Sequence, residues 1–135
     1  MNTPHDVSLV ILTDHKGLVL LQQKTYDAPN FPGVWSLFGG HREGEETPTE
    51  TAAREVEEEL ALTLPRSAFR HIKDFPPEEA SGSKMRSVFC IQLEENQKLI
   101  LREGRGMGYF RNEEITHLAI PPHIRAILAE YFAAH

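Results

Sequence analysis

Cysteine is nearly absent from this sequence: Cys90 stands alone among 135 residues. A single thiol excludes an internal disulfide framework and fits a reducing compartment, so a cytoplasmic protein is expected. Long apolar runs are missing too. None approaches the ~20 residues needed to cross a bilayer, and the polar stretch from Met1 to Asp6 does not resemble a secretory signal. Basic residues are in deficit, 14 Lys and Arg against 20 Asp and Glu, for a net charge of −6. That balance argues against a nucleic-acid polymer as partner, because polymer binding leans on a basic surface. It leaves room for a small phosphorylated ligand, since a bound divalent cation reverses an acidic site locally. There is no G-x-S-x-G elbow and no P-loop, and the scattered histidines form no HxxxH pair on a helix. No repeat, low-complexity tract or linker divides the chain, so residues 1–135 are expected to form one domain.

What is present begins with two aliphatic runs, Val7–Thr13 and residues 18–23, separated by Asp14, His15, Lys16 and Gly17. Such runs around a turn predict a β-hairpin. A loop with Pro29, Pro32 and Gly33 follows, then a short apolar stretch over residues 34–38 that the paired glycines Gly39 and Gly40 are expected to end. Thr47, Pro48 and Glu50 predict a helix start: an N-cap hydroxyl, a proline at the first helical position and a glutamate that reaches back to the cap. This helix should run to about Leu60, and Pro65 blocks any continuation. Strands are predicted over residues 69–75, 85–93 and 107–110, with loop composition at 76–84 and a turn at 94–97 leading into 98–102. Asn112 is expected to cap a helical turn over 113–117. Pro121 and Pro122 open a last helix, from His123 to about Ala133, whose Ile124, Ile127, Leu128 and Tyr131 recur at helical spacing and should face the core.

The chemistry concentrates on the first helix. At ~100° per residue, Glu55, Glu58 and Glu59 fall within one arc. Ala52, Ala53, Val56 and Leu60 fall on another, which can pack on a sheet. Like charges at i,i+3 and i,i+4 each cost a helix about 0.2–0.5 kcal/mol, and Arg54 neutralises only part of the group. Hard oxygen ligands at this spacing suit Mg²⁺ or Mn²⁺, which bridge phosphate oxygens. The plainer alternative is a solvated acidic face.

Context decides between them. Residues 40–62, GHREGEETPTETAAREVEEELAL, resemble the Nudix box, G-x5-E-x7-R-E-U-x-E-E-x-G-U with U aliphatic. Gly40, Glu46, Arg54, Glu55, Val56, Glu58, Glu59 and Leu62 occupy its fixed positions. Ala61 replaces the second glycine, and Glu45 stands where many members carry glycine. The resemblance implies an α/β fold, an α/β/α sandwich around a mixed β-sheet with the box helix on one side and the C-terminal helix on another. It implies a metal-dependent hydrolase of diphosphate linkages in nucleoside-diphosphate-linked compounds or nucleoside triphosphates. The metal ligands would be Glu55, Glu58 and Glu59, with the Gly39 carbonyl and Glu103 as further ligands. Glu55, Glu58 and Arg54 would be the catalytic group, Arg54 orienting a helix carboxylate and Glu46 holding the loop to the helix. The general base would be Glu55 or a glutamate on a later loop, for which Glu103 is the candidate. The Ala61 departure predicts either a left-handed residue costing about 1 kcal/mol or a helix that runs on to Pro65.

Substrate contacts are expected from Lys24, at the end of the second strand, and from Arg42, with Arg86 and Arg105 as further basic candidates. Phe31, Trp35 and Phe38 are candidates to stack on a base, and His41 lies close to the box. The box does not encode the group attached to the nucleoside diphosphate. The expected partner is a small nucleotide, with no nucleic-acid polymer and no membrane, and the protein is expected as a monomer or homodimer. Two other classes stay open: a catalytically silent Nudix-fold module that binds a nucleotide for regulation, and an acidic interaction protein without an active site.

Overall fold

The computed structural model describes residues 6–29, 31–77 and 85–135. Part of the loop expected over 76–84 therefore lies outside the described residues. The strands are β1 (Val7–Thr13), β2 (Val19–Gln23), β3 (Trp35–Ser36), β4 (Phe38–His41), β5 (Arg70–Phe75), β6 (Arg86–Gln92) and β7 (Gly106–Phe110). The helices are α1 (Pro48–Leu60), the single turn α2 (Asn112–Ile115) and α3 (Pro122–Ala134), with a 3-10 turn at Arg66–Ala68.

The expected hairpin forms β1 and β2. Its turn is fixed by Asp14, whose Oδ1 accepts the backbone N–H groups of Lys16 and Leu18, both at 2.9 Å. β1 is the trunk of a mixed sheet. One edge pairs in parallel with β6 along its whole length, and β6 continues to antiparallel β5. The other edge is shared: β4 pairs with Val7 to Val10, and β2 with Leu12 and Thr13. β2 in turn pairs with β3 and β7. The strand over 35–41 thus changes partner at Leu37, from β2 to β1, where those two strands diverge. Gly39 and Gly40 lie inside β4 rather than ending the strand, which corrects the expectation above. Residues 98–102, after the turn, form no strand.

Alternation along β1 sends side chains to both faces, and each face is covered. Leu9, Ile11, Val88 and Cys90 pack with Ile124, Ile127 and Leu128 of α3; Val10, Leu12, Phe38 and Phe89 pack with Ala52, Val56 and Leu60 of α1. Helix on sheet on helix is the expected sandwich. No helix among the described residues is long and apolar enough to cross a membrane.

The ends of α1 follow from its sequence. Thr47 Oγ1 accepts the Glu50 N–H at 3.2 Å while Glu50 Oε1 accepts the Thr47 N–H at 2.9 Å, a reciprocal cap. At the other end Ala61 takes the left-handed conformation (φ 54°, ψ 35°) and donates its N–H to the Glu57 carbonyl. The first of the two expected outcomes at Ala61 is the observed one. Two more terminal carbonyls are satisfied from outside the helix: Ile100 N–H reaches Leu60 O at 3.0 Å and Arg102 N–H reaches Glu59 O at 2.9 Å. Residues 98–102 cap α1: the hydrogen bonds of Ile100 and Arg102 go to the helix end rather than to a strand.

Candidate active site

β4 and α1 place the acidic residues. Gly39 adopts φ 139°, and a Cβ there would lie 2.0 Å from Ser8 O, so only glycine lets β4 press this closely on β1. Beside it, a Cβ on Gly40 would lie 2.5 Å from the Glu55 carboxyl carbon. The first glycine of the box therefore makes the space in which Glu55 sits.

Arg54 ties the preceding loop to the helix. Its Nε and Nη2 donate to the two oxygens of Glu46 at 2.8 and 3.1 Å, a forked pair. Nη1 donates to Glu55 Oε1 at 2.8 Å and to Glu58 Oε2 at 3.1 Å, and Nη2 also reaches the His41 carbonyl at 2.8 Å. Glu46 further accepts from Thr51 Oγ1 and the Glu43 N–H. Its hydrogen bond from Arg54, outweighing the opposing cost of partial burial, holds the Glu46 carboxyl down to about 2. The Arg54 guanidinium is correspondingly held fully protonated.

Glu59 is set apart from this network. It is only 4% exposed. The Gln22 side-chain amide donates to its Oε2 at 2.8 Å and the Gly39 N–H to its Oε1 at 2.9 Å. Burial outweighs these donors and, with the charges of Glu55 and Glu103 nearby, pushes the carboxyl up to about 7. Glu55 is raised as well, by burial first and against the pull of Arg54.

Glu59 opens into a cavity of about 920 Å³ at the divergence of β1 and β2. Lys24, Gly39, Gly40, His41, Arg86 and Glu103 line it, as do Val7, Leu9 and Leu37 on the sheet and Pro121 to Ile124 at the start of α3. Phe31 stands at its rim, partly exposed, with its ring centroid 5.6 Å from that of His123.

The residues expected from sequence divide accordingly. Glu55, Glu59 and Glu103 are brought within electrostatic range of one another. Glu58, half exposed, points along Arg54 and away from the cavity lining. Lys24 and Arg86 line the cavity, whereas Arg105 is stacked on Tyr26. One substrate expectation, Phe38, is corrected, and two others, Trp35 and Arg42, lie outside the cavity lining. Phe38 has no exposed surface and packs under α1, so its ring offers no face to a ligand. Trp35 packs edge-on against Phe110 beside the α3 core. Arg42 turns its Nε to the Glu46 carbonyl at 2.9 Å and stiffens the box loop. Sequence reasoning missed Gln22, Asp27 and His123, each joined to the cavity by contacts remote in sequence. A polar pair, Gln22 and Gln23, at the end of an otherwise aliphatic strand was the available signal for the first.

As a donor set, buried carboxylate oxygens with a third acid close by fit a hard divalent cation in chemistry and charge. In this side-chain arrangement no three His, Cys, Asp or Glu residues among those described converge closely enough to hold one ion. Arg54 draws Glu55 and Glu58 towards itself instead.

A family model described as NUDIX domain matches residues 3–131. This chain belongs to the NUDIX family. Among curated proteins, Nudix hydrolase 3 of Arabidopsis thaliana is 40% identical over 55 residues, 40% of this chain and only 7% of that protein's length. Among solved structures, a MutT protein from Methanosarcina mazei Go1 superposes with a TM-score of 0.79 at 21% identity, covering 98% of this NUDIX chain and 95% of that one. The NUDIX domain of Shewanella oneidensis NrtR, complexed with ADP ribose, gives 0.77 at 15% identity over 99% and 90% of the two chains. Dihydroneopterin triphosphate pyrophosphohydrolase of E. coli gives 0.74 at 19% identity over 100% and 99%. At these identities the structural likenesses carry the fold alone.

Proposed function

We propose that this NUDIX chain hydrolyses a phosphoanhydride bond in a nucleoside-diphosphate-linked compound or nucleoside triphosphate, with Mg²⁺ or Mn²⁺. The observation that carries this reading is a buried carboxylate, Glu59, fixed by two donors and opening with Glu103 into a cavity that also holds Lys24 and Arg86. An acidic cluster beside basic groups suits a diphosphate, whose oxygens a cation and a lysine share. The names of the M. mazei and E. coli neighbours and the ADP ribose bound to the Shewanella domain agree with it.

A divalent ion, when bound, supplies counter-charge to the phosphate oxygens and acidifies the attacking water. The chain's own residues do the rest. Glu59 and Glu55 would hold the ion, with Glu58 and the Gly39 carbonyl as further ligands from the box. Gln22 and the Gly39 N–H fix the Glu59 carboxylate, and Gly40 and Arg54 fix Glu55. As the water oxygen bonds to phosphorus and the bridging P–O bond breaks, the water proton passes to a carboxylate oxygen of Glu55 or Glu103. The apolar floor takes the nucleoside, with Phe31 and His123 at its rim.

The test is a phosphate-release screen with Mg²⁺ and Mn²⁺ over nucleotide sugars, ADP-ribose, dinucleoside polyphosphates and normal and oxidised nucleoside triphosphates. Glu59→Gln should lower turnover of any active compound by roughly 10²-fold or more; undiminished turnover would sink the assignment. The likeness to the Shewanella domain complexed with ADP ribose leaves a second reading, a nucleotide-binding module without turnover. Saturable ADP-ribose binding with no phosphate release from any compound would select it.

A further inference from the structure

Glu103 sits on a loop, residues 102–105, that contributes no secondary structure of its own. Its place beside α1 therefore depends on what holds that loop. One anchor is the Arg102 N–H on the Glu59 carbonyl, and a second is the Arg105 N–H on the Gln23 carbonyl at 2.8 Å. The third is a side chain. The Arg105 guanidinium lies 4.2 Å over the Tyr26 ring, and its Nη1 donates to Gln23 Oε1 and to the Tyr26 hydroxyl, each at 3.1 Å. Tyr26 itself is seated on Gly33, where a Cβ would lie 2.7 Å from the ring. Gln23 Nε2 donates to the Gly33 carbonyl at 3.0 Å, closing the circuit. Tyr26 is 67% exposed. An aromatic ring left this exposed yet stacked by arginine and seated on glycine contributes little to the core, so its contacts hold one loop to another.

Two functional segments meet at this clasp. Residues 24–29 carry Lys24, Thr25 and Asp27 into the cavity wall, and the 102–105 loop carries Glu103 into the same cavity. We propose that Arg105 is a positioning residue: by clasping Tyr26 and Gln23 it fixes Glu103 beside Glu59 and couples that carboxylate to the cavity wall formed by residues 24–29. Its kinetic consequence rests on the hydrolytic reading above. Arg105 is not itself among the residues that line the cavity, so it acts through Glu103.

The experiment combines amide hydrogen exchange with a kinetic double-mutant cycle on the full chain. Arg105→Ala should raise exchange at positions 103–105 and across 25–28 by roughly tenfold, the scale of two exposed charge-assisted hydrogen bonds and one cation–π contact, with the melting temperature kept. In turnover, Arg105→Ala and Tyr26→Ala should each lower kcat by about tenfold with KM less affected, and Tyr26→Phe, which keeps the ring, should lose less. In a Glu103→Gln background both alanine variants should become silent, because the residue they position is already disabled. Multiplicative losses in that background, unchanged kcat in the single variants, or unchanged exchange would overturn the proposal. Exchange reports on the clasp without turnover. Faster exchange in Arg105→Ala, with no hydrolysis by the unmodified chain, would support the clasp and refute only the hydrolytic reading.

Discussion

Two adjacent glycines show how much of this site is decided by single atoms. Gly39 and Gly40 are neighbours in β4, yet each excludes a side chain for its own reason. A Cβ at Gly39 would collide with the backbone of β1, 2.0 Å from Ser8 O, at a φ of 139° that L-residues rarely adopt. A Cβ at Gly40 would first meet the flexible end of Glu55, at 2.5 Å. Gly39→Ala should therefore cost at least about 3 kcal/mol of stability, read by denaturant unfolding. Gly40→Ala should cost less than about 1 kcal/mol, while turnover falls on the order of 10²-fold through misplacement of Glu55. Equal stability losses in the two would contradict the assignment. The paired glycines were visible in the sequence, but their separate duties were not, since each is set by a partner more than ten residues away.

Local signals were the legible ones at the scale of elements. The cap formed by Thr47, Pro48 and Glu50 is written in consecutive residues, so α1 forms where expected, and the aliphatic runs of β1 and β2 likewise declare themselves. The apolar stretch at 34–38 misled because a glycine pair usually ends a strand, whereas here close approach to β1 requires glycines within it. The role of residues 98–102 was illegible for a related reason: the hydrogen bonds of Ile100 and Arg102 go to the carbonyls of Leu60 and Glu59, a destination that no local pattern announces. Phe38 was a candidate for base stacking by position alone, and the alternation of β4 turns it into the core. The C-terminus of α1 carries a measurable flaw. Ala61 holds φ 54° where glycine carries no Cβ penalty, so Ala61→Gly should stabilise the protein by about 1 kcal/mol in chemical denaturation, without lowering turnover. A loss of stability would show that the left-handed cap is not strained.

Across the whole molecule, charge is sorted into two regimes. Around Arg54 the acids are satisfied by an arginine; around Glu59 they are satisfied by amides and face a cavity. The first regime has a pH signature. The folded Glu46 carboxyl lies at about 2, below its ordinary 4.5, so the pair contributes stability above about pH 4.5 that is lost as pH falls towards 2. Discounted for solvent screening, the loss is on the order of 1 kcal/mol. Acid titrations of thermal stability should show a smaller drop over that window in Glu46→Gln than in the unmodified chain. An equal drop would mean that Glu46 and Arg54 contribute nothing. The acidic half of the site was thus legible in the sequence because one helix and its loop carry it. The cavity was not, because Gln22, Asp27, Arg86 and His123 come together only when β1 and β2 separate.

That separation is bridged by one strand, which leaves β2 at Ser36 and joins β1 at Phe38. Leu37, facing the cavity, and the glycines that seat the acids therefore share a single register. Inserting one residue between 35 and 41 would shift both at once, whereas residues 27–29 can change composition and leave the acids of α1 where they are. A change in what the cavity admits can therefore be made in the loop, whereas a slip in the strand would cost the cavity wall and the seats of the acids together.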